Sequence, residues 1–415
     1  MLEEENGCFI DYLTFTVRYL EQEIIYELGA IPSLFSILGL NNSEFEVLDK
    51  AKNHYEWTHS WGKGYIKIST GTINKEEDKR KYLNLEQLHD AKNKGMILLE
   101  SSVTMTGTGC REFINLSKER ETLFEMLLRV RSDERFLVSK KHKKPIVFTR
   151  LDLTRDDYKG IISPAYVLEK TNKKEFVSRM DVESVIQSQK DENGSFQGMT
   201  VYFGNRSTSE FFIRFYDKTA ERKNKGKATA ENINISRVEM VFKKEQATAA
   251  VYKMFDYYDR KEKIGKFYSE ILMSKVYFLE DNFSRVSDTK TNKRHIDKRW
   301  IDFTETTKRT RLCVSKEEST IENKKQYRKQ SLPRPLATLS VAEGVENSLF
   351  ILNRLVIDSI YDLKLEDEIQ IKKYWKEKEP SLSDEALEEK IKIEKNRAMD
   401  FLSAINRFCR NYQDR

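Results

Sequence analysis

Residues 148–157 read FTRLDLTRDD, a stretch in which apolar and polar side chains alternate. A period of two residues is typical of a β-strand with one buried face. Leu151 and Leu153 then point to the core. The opposite face carries four polar side chains, namely Arg150, Asp152, Thr154 and Asp156. The stretch therefore predicts a sheet strand with a row of charged groups on its non-core face.

Similar alternation recurs along the chain and sets the expected fold class. The further strand patterns cover residues 9–19, 64–70, 96–105, 199–204, 210–216 and 235–242. Helical patterns cover residues 20–29, 33–38, 118–131, 164–178 and 244–274. Strands in mixed order with helices between them predict an α+β fold, in which an antiparallel sheet carries flanking helices.

Three regions follow from these patterns. Residues 1–245 hold the sheet, and residues 246–335 hold a helix and a basic connector rich in Lys, Arg, Thr and Ser. Residues 336–415 carry two further helical patterns, at 336–363 and 383–410, and predict a helical C-terminal region.

Charge and composition narrow the class of protein. The 415 residues are 39% hydrophobic and 34% charged, with a net charge of +6. Basic residues cluster at 140–144, 222–227 and 290–329, which suits phosphate contacts, although solvated surface explains such clusters equally well. The four cysteines are far apart, and neither a signal peptide nor a long apolar segment is present, so we expect a cytoplasmic protein.

Acidic residues suggest a metal centre. Asp152 and Asp156 share one strand face, and residues 236–244, SRVEMVFKK, place Arg237 and Glu239 on one face of another strand. If the two strands are neighbours, Glu239 completes a cluster of three carboxylates, a ligand set that suits Mg²⁺ or Mn²⁺. The alternatives are a solvated polar face and a cross-strand salt bridge between Arg237 and a carboxylate.

A tyrosine between two cations is the candidate nucleophile. Residues 211–223 read FFIRFYDKTAERK, and alternation places Arg214, Tyr216 and Lys218 on one face. Positive neighbours are expected to lower the phenol pKa from about 10 and to bind a phosphodiester. The alternative is a structural tyrosine at a sheet edge. The segment TGTGCR at 106–111 lacks a P-loop ending and predicts a simple turn.

Four motifs in order, TRLDLTRD, YFG, RFYDKTAER and RVE, resemble the Rep_trans family of replication initiation factors. The resemblance implies that Tyr216 nicks one DNA strand and stays linked to its 5′ end, with Arg214 and Lys218 facing the phosphate. It also implies a Mg²⁺ or Mn²⁺ centre, for which the expected ligands are Asp152, Asp156 and Glu239, with Asp11 nearby. Arg222, Lys223 and Arg237 are the expected DNA-binding residues.

The same resemblance implies partners and leaves alternatives open. The implied partners are origin DNA with an inverted repeat, a superfamily 1 helicase and a second copy of the chain. Asp217 departs from the family's usual asparagine, and TGTGCR resembles the conjugative-relaxase branch. The alternatives are a conjugative relaxase acting at a transfer origin, a water-using endonuclease and a non-catalytic DNA-binding regulator. Residues 290–329 are the expected specificity region.

Overall fold

The computed structural model of the chain describes residues 8–48, 55–138, 144–180, 198–224, 234–281, 295–310, 333–363 and 365–413, with single positions between 312 and 325. The chain forms two compact units, Met1–Val314 and Ser315–Arg415. The sequence patterns placed divisions at 245 and 335. The first unit runs past 245 because the helix Lys244–Asp259 packs on a central strand of the sheet.

A sheet of nine strands forms the centre of the first unit. Its strands in chain order are β1 (Cys8–Gln22), β2 (Glu46–Leu48), β3 (Trp57–Trp61), β4 (Ile66–Thr72), β5 (Met96–Met105), β6 (Val147–Asp157), β8 (Thr200–Phe203), β9 (Phe211–Asp217) and β10 (Ser236–Lys243). They lie side by side in the order β2-β3-β4-β5-β1-β6-β10-β9-β8, and each neighbouring pair is antiparallel. Two short strands, β7 (Phe176–Ser178) and β11 (Val276–Phe278), form a separate pair. The predicted antiparallel α+β architecture is confirmed.

Helices connect the strands, and α9 packs on the central strands of the sheet. In the first unit they are α1 (Glu23–Glu27), α2 (Pro32–Leu38), α3 (Glu76–Lys79), α4 (Leu85–Asn93), α5 (Gly107–Leu116), α6 (Leu123–Val130), α7 (Pro164–Asn172), α8 (Lys218–Asn224), α9 (Lys244–Asp259), α10 (Ile264–Lys275) and α11 (Lys298–Thr304). The second unit contains the helices Pro333–Glu343, Val345–Tyr361, Leu365–Lys378 and Asp384–Gln413, so the predicted helical C-terminal region is confirmed. None of the helices in the described ranges is both long and apolar enough to cross a membrane.

The apolar core lies between the sheet and the helices α9 and α10. Leu151 and Leu153 of β6 are fully buried in it, as the alternation predicts. The Thr248 hydroxyl of α9 bonds both the N–H and the C=O of Phe148, at 3.0 and 2.8 Å. The Tyr268 hydroxyl of α10 donates to the Val238 carbonyl of β10 at 2.9 Å. These bonds fix the helices on one face of the central strands and leave the opposite face to polar side chains.

Several predicted helices have different bounds in the structure. The pattern over 244–274 divides into α9 and α10, and Lys261, with φ of 61°, lies at the break. The pattern over 20–29 begins in β1, which continues through Gln22. The pattern over 164–178 ends at Asn172 and is followed by β7. The second and third errors share a cause, because short apolar runs fit both the helix period and the strand period until tertiary contacts select one.

Two further segments differ from expectation. The segment TGTGCR at 106–111, predicted as a turn, begins helix α5, with Thr106 as its N-cap residue. Within the predicted basic connector, the structure describes helix α11, whose Trp300 is fully buried against Phe278 of β11. Most of the basic stretch 290–329 lies outside the described residues.

Candidate active site

The register of the central strands brings the predicted site residues together. Strand β10 lies between β6 and β9, so Arg237 is opposite Asp156 on one side and Tyr216 on the other. Glu239 is opposite Arg214. The condition on which the three-acid cluster depended, that β10 neighbours β6, is therefore confirmed. The side chains share the sheet face that α9 and α10 leave uncovered.

A register shift in β1 adds Asp11 to this face. The pairing with β6 passes from Ile10 to Tyr12, so Asp11 is an extra residue in the strand. Such a bulge redirects a side chain. Asp11 and Tyr12 both line a cleft of about 440 Å³, and residues of α5 and α8 form its other sides.

Tyr216 lies in the wall of this cleft and is 6% exposed. Its hydroxyl is 3.3 Å from Oε2 of Glu239 and 3.4 Å from Nζ of Lys218. The Arg214 guanidinium lies 4.9 Å from the centroid of the tyrosine ring. The predicted cationic neighbours, Arg214 and Lys218, are therefore beside Tyr216. The Glu239 carboxylate is also beside the hydroxyl, which the alternation alone did not predict.

The predicted direction of the Tyr216 pKa is wrong. Burial and the nearby Glu239 carboxylate raise the pKa of the phenol well above its usual value, and the opposing effects of Arg237 and Arg214 are smaller. The phenol is therefore protonated at neutral pH. Any attack by its oxygen requires an acceptor for the proton.

Glu239 is the acceptor within hydrogen-bonding distance. It is fully buried, it receives a hydrogen bond from Arg214 at 2.7 Å, and it also accepts the bond from Tyr216. Burial raises the pKa of Glu239 to about 7, although the Arg214 charge acts in the opposite direction. The pair Tyr216–Glu239 therefore has the geometry of a hydroxyl and its general base.

A chain of ion pairs links residues in the wall of the cleft. The Arg237 guanidinium bonds both oxygens of Asp156, at 2.5 and 2.8 Å, and donates to Asp11 at 3.0 Å. Asp11 also accepts from Arg111 of α5 at 3.0 Å. Arg237 is only 2% exposed. The proposed salt-bridge alternative for Arg237 is therefore present, and a direct contact of this residue with DNA stays a prediction.

The three predicted metal ligands are each paired with an arginine. Both oxygens of Asp152 accept from Arg150, at 2.8 and 2.7 Å, and Asp156 and Glu239 are held by Arg237 and Arg214. Among the described residues, no group of three or more His, Cys, Asp or Glu has an arrangement that could hold a metal ion. Each of these carboxylates is therefore occupied by an arginine, and a divalent cation would have to displace that arginine in order to bind.

The charge balance of the cleft favours an anion. Six cationic side chains line it, namely Arg111, Arg150, Arg214, Lys218, Arg222 and Arg237. The acidic lining residues are three, namely Asp11, Asp152 and Glu221. Two buried acids behind the lining, Asp156 and Glu239, pair with Arg237 and Arg214, so one positive charge remains in excess. A concave site with excess positive charge attracts phosphate groups. Of the other predicted DNA-binding residues, Arg222 lines the cleft and Lys223 is exposed beside it.

Helix α5 contributes residues that the sequence analysis did not assign to the site. Thr106, Gly107, Thr108 and Arg111 line the cleft. A Cβ atom on Gly107 would lie 2.6 Å from Oδ1 of Asp11, so only glycine permits the helix to approach the bulge this closely. The glycines of TGTGCR could have indicated a close contact of this segment with another part of the chain. The residue that Gly107 contacts, Asp11, is almost one hundred residues away in sequence, so the sequence did not identify it.

We expect Gly107→Ala to lower the free energy of unfolding by about 1–3 kcal/mol, because the added methyl group displaces the Asp11 carboxylate. Urea denaturation of Gly107→Ala, Asp11→Ala and the double variant measures the coupling. The loss in the double variant should be smaller than the sum of the two single losses. Additive losses would show that the clash is with another group.

Comparison with known proteins places the chain in a family. The sequence model of the Rep_trans family, described as replication initiation factor, matches residues 146–356, which is half of the chain. This range includes β6, β9 and β10, the strands that carry Asp152, Tyr216 and Glu239. The chain belongs to the Rep_trans family.

Individual relatives cover parts of the chain. It is 30% identical over 158 residues to a Bacillus subtilis (strain 168) protein named "Putative DNA relaxase NicK", and the match spans 36% of this chain and 40% of that protein. A solved structure of a rolling circle replication initiator protein from Geobacillus stearothermophilus covers 75% of this chain and 99% of the solved chain, with a TM-score of 0.49 and 21% identity.

Proposed function

We propose that this protein nicks and rejoins one strand of DNA to initiate rolling-circle replication, with Tyr216 as the nucleophile. Membership of a family of replication initiation factors supports the class of reaction. The observation that carries the residue assignment is the position of the Tyr216 hydroxyl, which lies in a cationic cleft within hydrogen-bonding distance of Glu239 and Lys218.

The chemistry follows from the groups around the hydroxyl. The Tyr216 oxygen attacks the scissile phosphorus while its proton passes to Glu239. The bond from phosphorus to the 3′ oxygen breaks, so the 5′ phosphoryl group stays on the tyrosine and the 3′ oxygen leaves as a hydroxyl after protonation from water. Arg214 and Lys218 offset the charge that develops on the phosphoryl oxygens. Because the phosphotyrosine keeps the energy of the phosphodiester, the 3′ hydroxyl can reverse the step and rejoin the strand.

A divalent cation stays a prediction of the family resemblance. We expect EDTA to abolish nicking and added Mn²⁺ or Mg²⁺ to restore it. Calorimetric titration of Mn²⁺ into the protein gives a second readout, and Asp152→Asn should weaken the binding of Mn²⁺ by about tenfold or more. Glu262→Gln, a change of a half-buried acid that pairs with Lys266 outside the cleft, is the matched control. Nicking in EDTA at the full rate would remove the cation from the proposal and leave the arginine-paired acids as structural groups.

Relaxase action at a transfer origin is the second candidate, favoured by the name of the Bacillus subtilis relative. The chemistry at Tyr216 is the same for both candidates, and the DNA sequence that is cut distinguishes them. The experiment compares two labelled oligonucleotides, one from the replication origin and one from the transfer origin of the host element. The oligonucleotide that is nicked identifies the function.

The remaining partners belong to the same proposal. They are origin DNA with an inverted repeat, a superfamily 1 helicase recruited to the nick, and a second copy of the chain. Arg222 and Lys223 are proposed to bind backbone phosphates at the edge of the cleft, since Arg222 lines the cleft and Lys223 is exposed beside it.

A further inference from the structure

A small apolar cluster lies on the same sheet face as Tyr216, further along the strands. It consists of Tyr202, Phe212 and Val241, and it is separate from the main core. Phe212 shares its strand face with Arg214 and Tyr216 by alternation along β9. The cluster is therefore a continuation of the face that carries the cleft.

Two cations cover this cluster. The Arg206 guanidinium lies 4.7 Å from the ring centroid of Tyr202, and Nζ of Lys243 lies 5.0 Å from that of Phe212. The rings of Tyr202 and Phe212 are both buried. The long aliphatic parts of arginine and lysine side chains can cover apolar surface in this way while their charged ends stay in water. Nζ of Lys243 also donates to the carbonyl of Arg206 at 2.6 Å, so the two cations are held together.

The loop that carries Arg206 has a fixed conformation. The side chain of Asn205 accepts hydrogen bonds from the backbone N–H groups of Ser207 and Thr208, at 2.8 and 2.9 Å. This is the local bonding by which asparagine stabilises a tight turn. Gly204 precedes it with φ of 86°, a conformation that favours glycine. Arg206 is thus positioned before any ligand binds.

Arg206 and Lys243 differ in their pairing from the arginines of the cleft. In the part of the chain that the structure describes, neither side chain forms an ion pair with a carboxylate. The arginines of the cleft differ, because Arg150, Arg214 and Arg237 each hold an acid. Positive charge that is positioned and unpaired is suited to a polyanion.

The distance between the two features fits a nucleic acid strand. Phe212 and Tyr216 are four positions apart along β9, which is about 13 Å at the rise of a β-strand. At the 3.4 Å rise of a stacked strand this is about four nucleotides, and fewer when the strand is extended. A single strand that passes through the cleft can therefore reach both cations.

We propose that Arg206 and Lys243 bind the backbone phosphates of the single DNA strand a few nucleotides from the scissile phosphate. This inference rests on the proposed nicking function, since it assumes that the strand lies in the cleft at Tyr216. The contact is independent of base sequence, because only phosphates are bound, and it fixes the register of the strand relative to the nucleophile.

The test measures how protein variants bind oligonucleotides that extend to different distances from the nick site. Arg206→Gln with Lys243→Gln removes both charges and keeps the stems that cover Tyr202 and Phe212. Lys244→Gln is the matched control, because it removes the same charge from the next residue, which pairs with Glu210 instead. Three oligonucleotides are used, one that extends about eight nucleotides on each side of the nick site and two that end about two nucleotides from it, on the 5′ or the 3′ side.

The readout is the dissociation constant at several salt concentrations, measured by fluorescence anisotropy with Tyr216→Phe protein so that no cleavage intervenes. We expect the double variant to bind the long oligonucleotide about tenfold more weakly, with a salt slope smaller by about 1.4. For one of the two trimmed oligonucleotides the variant should bind like its parent, which identifies the side of the nick that is contacted. Equal losses on all three oligonucleotides, or no loss on any, would overturn the proposal.

This binding result is independent of the nicking result. A covalent adduct formed by the wild-type protein tests the nucleophile, whereas the salt slope tests the two cations. Failure of the adduct alone therefore removes the proposed function, and failure of the slope alone removes only the phosphate contact.

Discussion

Replacement of Tyr216 with phenylalanine is expected to abolish strand nicking, with a loss of about 10⁴-fold or more, the scale on which removal of a nucleophile acts. The ring remains, and Arg214 can still lie against it, so the affinity for DNA should stay within about threefold. The measurement is denaturing gel electrophoresis of a labelled oligonucleotide, in which the wild-type protein shifts the label to a protein-linked band and Tyr216→Phe does not.

Two other tyrosines make this experiment specific. Tyr158 is exposed and outside the cleft, so Tyr158→Phe should nick at the wild-type rate. Tyr12 lines the same cleft, and if Tyr216→Phe formed the adduct while Tyr12→Phe did not, Tyr12 would be the nucleophile. Cleavage by the wild-type protein without a linked band would favour a water-using endonuclease. Binding without any cleavage would favour a non-catalytic regulator.

The strands that carry the site were predictable because their periodicity is strong. Alternation placed Asp152 and Asp156 on one face of β6 and Arg237 and Glu239 on one face of β10, and the structure has both arrangements. Strand β3 was missed, because its sequence WTHSW has polar residues in succession and Thr58, His59 and Ser60 are all buried. Alternation indicates a strand only where one face is exposed to solvent.

The electrostatics of the site were not predictable from the sequence in the same way. The sequence showed the cations near Tyr216, but the depth of burial that raises the phenol pKa depends on how β9, β10 and α8 pack. The bulge that redirects Asp11 and the approach of Gly107 depend on contacts between β1 and α5, which are distant in sequence. Local patterns therefore predict which side chains share a strand face, and long-range contacts set the protonation and pairing of those side chains.

The ion pairs of Arg237 are expected to make a large contribution to the stability of the fold. We expect Arg237→Gln to lower the free energy of unfolding by about 3–5 kcal/mol, because it leaves the carboxylate of Asp156 buried without its partner. Chemical denaturation followed by circular dichroism measures the loss. Arg131→Gln is the control, since Arg131 makes the same two-bond contact with Asp259 at an exposed position, where the expected loss is below about 1 kcal/mol.

A second substitution separates charge from packing at this position. Asp156→Asn, added to Arg237→Gln, removes the unpaired carboxylate, so the double variant should recover part of the lost stability. Recovery would show that the pair Arg237–Asp156 acts through charge compensation next to Tyr216. If the loss of stability in the double variant equalled the sum of the two single losses, Arg237 would act through its packing against Phe9 and its bond to Asp11. Arg237 would then hold β1 in place more than it holds β6.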